Sequence, residues 1–279
     1  MKSAIITGAY GYLGSLIRAR LEADGWTTTA LARRPRPGDR AHAWALGQTP
    51  ASGMLEGVDA LIHCAYDFEP RTPRRLWEVN VTGSEQLLRS AHAAGIKRIL
   101  LLSSMSAYEG TEQVYGRIKL AIEDVVARLG GISIRPGLVY GDHPAGMAGA
   151  LVKVSQLPII PVIATETARQ FPVHEADLAD AIRRILDDEN WVPEVFGLAQ
   201  PSSVSFRELL EAFAVGRRRR PVFLGVPWQA VYWSLRLAEM ARVPTPLRSD
   251  SVLGLVRPAE VVPPSAAFPD LLSGLRPFV

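Results

Sequence analysis

Thr7-Gly8-Ala9-Tyr10-Gly11-Tyr12-Leu13-Gly14 lies between a short apolar run at 4–7 and a stretch at 13–23 with Leu13, Leu16, Ile17 and Leu21 on one helical face. Three glycines spaced this way, entered from a strand and left by a helix, suit a tight turn, a close backbone approach to a pyrophosphate and tight helix–strand packing. The helix start adds unpaired N–H groups and a positive dipole end. The loop is therefore read as a dinucleotide cradle, with Gly8, Tyr10, Gly11, Tyr12, Leu13 and Gly14 as contacts.

The pattern that follows extends this unit. Strands are predicted at 27–32, 60–65, 99–103 and 132–135, with helices at 81–94 (ending at Gly95) and 115–129 (ending at Gly130-Gly131). Alternation of this kind predicts an α/β chain, a Rossmann-type doubly wound parallel sheet covered on both faces. After Gly141 the pattern loosens. The expected division is a dinucleotide-binding core at 1–141, rejoined by 168–200, and a smaller C-terminal substrate-binding lobe from 142–167 and 201–279.

Composition excludes several classes. The single cysteine, Cys64, leaves no disulfide framework or thiolate metal cage, so no metal is expected, and it agrees with a cytoplasmic location. The apolar run after Met1-Lys2 is too short for a signal peptide. The most apolar later stretch, 222–240, is broken by Gln229, Ser234, Arg236 and Glu239, so no membrane partner is expected. Its Trp228, Val231, Tyr232 and Leu235 fit an amphipathic helix against the core that could also line an apolar pocket, with Trp233 beside them. Net charge is +3 and the densest basic run is the four arginines at 217–220, which suit a solvated turn or a substrate phosphate but carry no nucleic-acid interface.

The second strand ends in Ala32-Arg33-Arg34, with Arg36 and Arg40 near. An acidic residue at this point would select the ribose hydroxyls of NAD, whereas arginine accommodates a 2′-phosphate. The expectation is NADP(H) as preferred cofactor, with NAD(H) possible and Arg33 and Arg34 as the selecting residues.

Tyr115 and Lys119 are four apart on a predicted helix and share a face. A nearby ammonium and an oxidised nicotinamide would favour the phenolate that proton transfer requires. Ser104 closes the preceding strand at its carboxyl edge, where open α/β sheets bind ligands, and can hydrogen-bond a substrate oxygen.

Taken together, these segments resemble the extended branch of the short-chain dehydrogenase/reductase superfamily, the NAD-dependent epimerase/dehydratase family. Thr7 to Gly14 is similar to its TGxxGxxG, Asp59-Ala-Leu-Ile-His63-Cys64-Ala65 to DxVIHxAA, and Asn80-Val-Thr-Gly83 to NVxGT. Ser103-Ser104-Met-Ser-Ala-Tyr108 resembles SSxxVY, Tyr115 to Lys119 YxxxK, and Arg135-Pro-Gly-Leu-Val-Tyr-Gly141 RPxxVYG. Phe171-Pro-Val-His174-Glu-Ala-Asp177 looks like FVHVDDLA, and Phe196-Gly-Leu like VYNL. The resemblance implies Ser104, Tyr115 and Lys119 as catalytic residues, with Asn80 supporting them. It implies that Ala65, Pro136 and Gly137 pass near the nicotinamide, where Tyr115 and Lys119 also touch the cofactor. His63 and His174 would be structural and Cys64 a packing residue. It also suggests a homodimer formed by the helices that begin near Thr82 and Tyr115.

Some positions depart from the pattern. Eleven positions separate Ser104 from Tyr115, fewer than sugar-nucleotide members use. Met105-Ser106 stand where dehydratases place Asp-Glu, and the third strand, placed at Trp44-Ala45-Leu46, offers no acid for adenine. The leading expectation is an NAD(P)-dependent oxidoreductase moving hydride between nicotinamide and a carbonyl/alcohol small-molecule substrate, with Tyr115 as general acid/base. The alternatives are an NAD(P)-dependent sugar or nucleotide-sugar epimerase, and a non-catalytic NADP-sensing regulatory protein.

Overall fold

The computed structural model describes every residue except 1, 71, 143, 164–168, 216–221, 246 and 279, so the arginines at 217–220 lie outside the described residues. The chain runs β1 (Ser3–Thr7), α1 (Tyr12–Ala23), β2 (Thr27–Ala32), β3 (Ala41–Ala43), β4 (Ala60–His63) and α2 (Pro73–Trp77). A π-helical turn over Glu78–Thr82 leads into α3 (Gly83–Ala93), β5 (Arg98–Leu102), α4 (Val114–Arg128), β6 (Ile132–Pro136) and β7 (Leu138–Tyr140). Then follow α5 (Gly146–Ser155), β8 (Ile159–Ile163), β9 (Arg169–Gln170), β10 (Pro172–His174), α6 (Glu175–Asp187) and β11 (Val195–Leu198). The last elements are β12 (Val204–Ser205), α7 (Phe206–Phe213), β13 (Val222–Val226), α8 (Trp228–Met240) and α9 (Ser249–Val256).

Seven strands form one parallel sheet in the order β3-β2-β1-β4-β5-β6-β11. Strand order reverses between β1 and β4, where Thr7 pairs with His63, and the crevice beyond the carboxyl ends of strands at such a reversal is where ligands settle. The central strands β1, β4 and β5 are almost wholly apolar because both faces are covered. Alternation splits them cleanly. Ile6, Ile62 and Leu100 point to the side packed by Ile17 and Leu21 of α1 and Ile182 and Ile185 of α6. Ile5, Leu61, Ile99 and Leu101 point to the opposite side, against Leu87 and Leu88 of α3 and Ile118 and Ile122 of α4. A third cluster, including Leu138, Leu151, Ile160, Leu209, Leu210, Val252 and Leu255, forms a separate core beside the sheet's carboxyl edge.

Three local expectations are corrected. The third strand lies at Ala41–Ala43, ahead of Trp44, whose buried indole donates to the Gln48 carbonyl instead of extending the sheet. The helix expected from 81 begins at Gly83 and is preceded by α2 and the π turn, because Thr72 caps an unforeseen helix with Pro73 at its first position. The 222–240 stretch is two elements: Val222–Val226 pairs in parallel with β8, and Pro227 separates it from α8. On α8, Trp228, Val231, Tyr232 and Leu235 pack on the third core, whereas Trp233, Leu237 and Met240 face solvent. No helix among the described residues is long and apolar enough to cross a membrane.

Candidate active site

The glycine turn is built tightly. Gly8 has φ +65°, and a Cβ there would come within 3.1 Å of the Ala65 backbone at the end of β4. Gly11 N donates to Gly8 O at 2.9 Å, and a Cβ on Gly14 would run into that same carbonyl. The result is a bare backbone cradle at the start of α1, so the residues present fit a bound dinucleotide pyrophosphate. Tyr12 and Leu13 line the cleft that opens from it. Tyr12 donates to Glu175, and burial together with that carboxylate raises its phenol pKa. Tyr10 turns toward the β2–β3 loop, donating to Asp39 at 2.8 Å with the Arg36 guanidinium 4.3 Å over its ring. Arg18 holds the same Asp39 bidentately at 2.6 and 2.5 Å. Arg33 pairs with Glu69 at 2.6 Å on the surface, and Arg34 is exposed.

Beneath the turn, Thr7 Oγ1 accepts the N–H groups of Cys64 and Ala65, both at 3.1 Å. It lies 2.8 Å from Nδ1 of His63, whose Nε2 is 2.7 Å from Ser84 Oγ. Full burial pushes His63 down to about 3 from its ordinary 6.5, with Lys119 adding to the shift. His63 thus pins the cradle to α3 as a neutral ring. The unfolded chain binds a proton at this residue below pH 6.5 and the folded chain does not until about pH 3. The contribution of His63 to stability is therefore fully present above pH 6.5 and is lost as pH drops toward 3, by up to about 1.4 kcal/mol per unit. His63→Gln is expected to show a shallower loss than the unmodified chain between pH 6.5 and 4.5 in denaturant titrations; parallel slopes would refute this. Burial pushes the Cys64 thiol up to about 12, which suits an inert packing residue.

Across the cleft, β5 and α4 bring Ser104 and Tyr115 to the same wall. Burial pushes the Tyr115 phenol up to about 12, and hydrogen bonding with Ser104 works against that rise. Desolvation is the larger of these two effects. Lys119 is buried one turn on. Its Nζ donates to the Leu102 carbonyl at 2.7 Å and lies 5.8 Å from the ring centres of both Tyr115 and Tyr66. Loss of water lowers Lys119 to about 8, while Cys64 and Glu123 pull the other way. Ser103 is not available for chemistry: its hydroxyl donates to buried Glu123, which Arg135 also holds at 2.9 and 2.6 Å.

Asn80 is buried, and its side chain ties its own turn to the segment that follows β4. Its amide accepts from Asp67 N at 2.7 Å and donates to the carbonyls of Asp67 and Leu76 at 2.9 and 3.0 Å. It sits in the π turn, a local irregularity frequent near functional sites. The segment it holds carries two aromatic residues that sequence reading missed. The Tyr66 ring meets Tyr115 edge-on at 4.8 Å, and Phe68 stacks at 5.9 Å. Their spacing, two apart in an extended stretch, places both on one side, but nothing local says that side faces Tyr115. Pro136 and Gly137 line the cleft as well. Glycine is required at 137 because a side chain would strike the Phe171 carbonyl and Ala199. His174 caps α6, accepting from Ala176 N at 3.2 Å.

The model of the NAD dependent epimerase/dehydratase family matches residues 4–199, which covers the glycine cradle, Ser104, Tyr115 and Lys119. The chain belongs to this family. A ceramide reductase from Caulobacter vibrioides is 32% identical over 188 residues, 62% of this chain and 57% of that protein. The chain thus matches little more than half the length of that relative. A UDP-glucose 4-epimerase from Vibrio cholerae is 25% identical over 259 residues, 81% and 79% of the two chains. Among solved structures, MoeE5 in complex with UDP-glucuronic acid and NAD superposes with a TM-score of 0.68 at 21% identity, over 81% of this chain and 85% of that one. That likeness establishes the extended Rossmann-type fold of this family member.

Proposed function

We propose that this family member is a reductase of an apolar carbonyl compound that uses NADP(H), with Tyr115 carrying the proton. The observation that carries the reading is the cleft of about 780 Å³ containing Ser104 and Tyr115. Its walls include Tyr66, Phe68, Met105, Met147, Leu253 and Leu255. Of the three described cations that line it, Arg236 and Arg248 both face the Glu239 carboxylate, at 3.5 and 4.0 Å, and Arg248 also donates to the Phe68 carbonyl, which leaves the exposed Arg117 alone for an anion. A nucleotide sugar would bring a diphosphate carrying more charge than Arg117 alone matches, whereas a carbonyl on an apolar body needs only the two hydroxyls. The ceramide reductase relative fits an apolar substrate, and the short Ser104–Tyr115 connection fits a site without an elaborate sugar cover.

The chain's own groups divide the work. The backbone from Gly8 to Gly14 holds the pyrophosphate, while Ala65, Pro136 and Gly137 border the nicotinamide end. When bound, the nicotinamide supplies or takes the hydride. In the reducing direction Ser104 donates a hydrogen bond to the substrate oxygen, and Tyr115 gives that oxygen its proton. The Lys119 ammonium, one helical turn away, stabilises the phenolate left behind. Tyr66 and Phe68 keep water from the phenol. The homodimer expected through α3 and α4, which pack side by side on one sheet face, and a cytoplasmic setting belong to the same reading.

Screening the purified chain against ketones, aldehydes and nucleotide sugars is the direct test. Apolar carbonyl compounds are expected to consume NADPH, detected by its absorbance. Interconversion of nucleotide sugars without net cofactor change would favour the epimerase instead. Cofactor choice is tested separately. The exposed Arg33–Glu69 pair holds weakly and can open for a 2′-phosphate. A charge-assisted hydrogen bond contributes about 1.5–3 kcal/mol, so replacing Arg33 and Arg34 by Ala should weaken NADPH binding roughly tenfold to a hundredfold and leave NADH little changed. Equal losses for both cofactors would refute the assignment.

A further inference from the structure

Helix α4 carries Tyr115 in its first turn, yet its own sequence does not cap it. Gln113 precedes the helix without a side-chain cap, and no acidic residue lies in the first turn. The exposed N–H groups are closed from far away in the chain. Asp250, in the first turn of α9, accepts from Val114 N through Oδ1 at 2.9 Å and from Tyr115 N through Oδ2 at 3.2 Å. One carboxylate thus serves the amide of the catalytic tyrosine itself.

The rest of α9 makes the same connection. Glu239 of α8 accepts from Ser249 N at 2.8 Å and from Ser249 Oγ at 2.9 Å, fixing the start of α9. At its other end, the Arg257 carbonyl accepts from Tyr108 at 2.8 Å and the Arg257 side chain pairs with Glu112. The connection from Ser104 to Tyr115 is therefore held at Tyr108, at Glu112 and at its Tyr115 end by one helix of the lobe and the residue that follows it. Gly254 packs so closely on Gln113 that a Cβ would lie 2.7 Å from its side-chain oxygen. Glu239, Ser249 and Asp250 also border the substrate cleft, so whatever fills the cleft touches the parts that hold the cap.

We propose that Asp250 is a positioning residue for the Tyr115 hydroxyl, joining the seating of the substrate lobe to proton transfer through a cap supplied across the cleft. The proposal rests on the reductase reading for its kinetic consequence, but the cap can be measured without any substrate. With Asp250→Ala, the Val114 and Tyr115 amides lose an acceptor that local sequence does not replace. Their hydrogen exchange should speed up tenfold or more, with kcat for the carbonyl substrate falling by about the same factor. Asp250→Asn keeps one acceptor oxygen and should recover part of both effects. The Kd for NADPH should stay within twofold, since the Asp250 carboxylate bonds the Val114 and Tyr115 amides and not the glycine turn.

Full-length protein is used throughout, with thermal unfolding to identify any variant that does not fold; Asp250→Asn then decides. Unchanged amide exchange in a folded variant, or a loss confined to the KM of the carbonyl substrate, would overturn the proposal. If the unmodified chain turns over no carbonyl compound, the reductase reading fails, while the exchange result still decides whether Asp250 caps α4.

Discussion

Tyr115→Phe is expected to lower kcat by about a hundredfold to ten-thousandfold, the range that a positioned general acid contributes, while NADPH binding changes little. The phenyl ring keeps the contacts with Tyr66 and Phe68, and only the hydroxyl that shares the cleft with Ser104 is removed. Single-turnover measurements of NADPH oxidation check this directly, because they report the chemical step apart from product release. A variant retaining more than a tenth of the rate would mean that another group supplies the proton. The phenol's upward displacement to about 12 gives a second handle. Burial favours the protonated form, so the reducing direction begins with the proton in place. Alcohol oxidation, which needs the phenolate, should improve as pH rises.

The second large effect is expected from Gly14→Ala. The added carbon would collide with the Gly8 carbonyl, the acceptor for Gly11 N. Either α1 moves off the turn or the turn opens, and overpacking of this kind costs about 1–3 kcal/mol. If the strain falls on the cradle, NADPH affinity drops by roughly five- to 150-fold, and thermal stability declines with it. Fluorescence titration with NADPH and a melting curve separate the two contributions. Affinity within twofold of the original would show that the cradle tolerates a wider turn.

Much of the sheet was legible before any coordinates. β1, β4 and β5 stand out as short apolar runs, β2 and β6 are marked by β-branched residues between turn signals, and glycines end the helices between them. Strand end and helical spacing bring Ser104, Tyr115 and Lys119 into view, and the family resemblance selects them. Legibility failed where local signals were weak. Ala41–Ala43 is a three-residue edge strand of small side chains, so the bulkier Trp44 drew the expectation forward. β13 is a short apolar run marked off only by Gly225 and Pro227, and it merged with α8. The Tyr66–Phe68 wall and the Asp250 cap depend on contacts between distant segments. Periodicity cannot show which remote carboxylate meets an uncapped helix.

The order in which the chain is made bears on that cap. β6 ends at Pro136, but its outer neighbour β11 begins only at Val195, and α9 only at Ser249. During synthesis the glycine cradle and its strands can assemble early, leaving the β6 edge exposed until β11 is available. Pairings over such separations form slowly and leave sticky edges in the meantime. A nascent chain could therefore gain its nucleotide cradle well before α9 steadies Tyr115, making the acid/base function one of the last properties to mature.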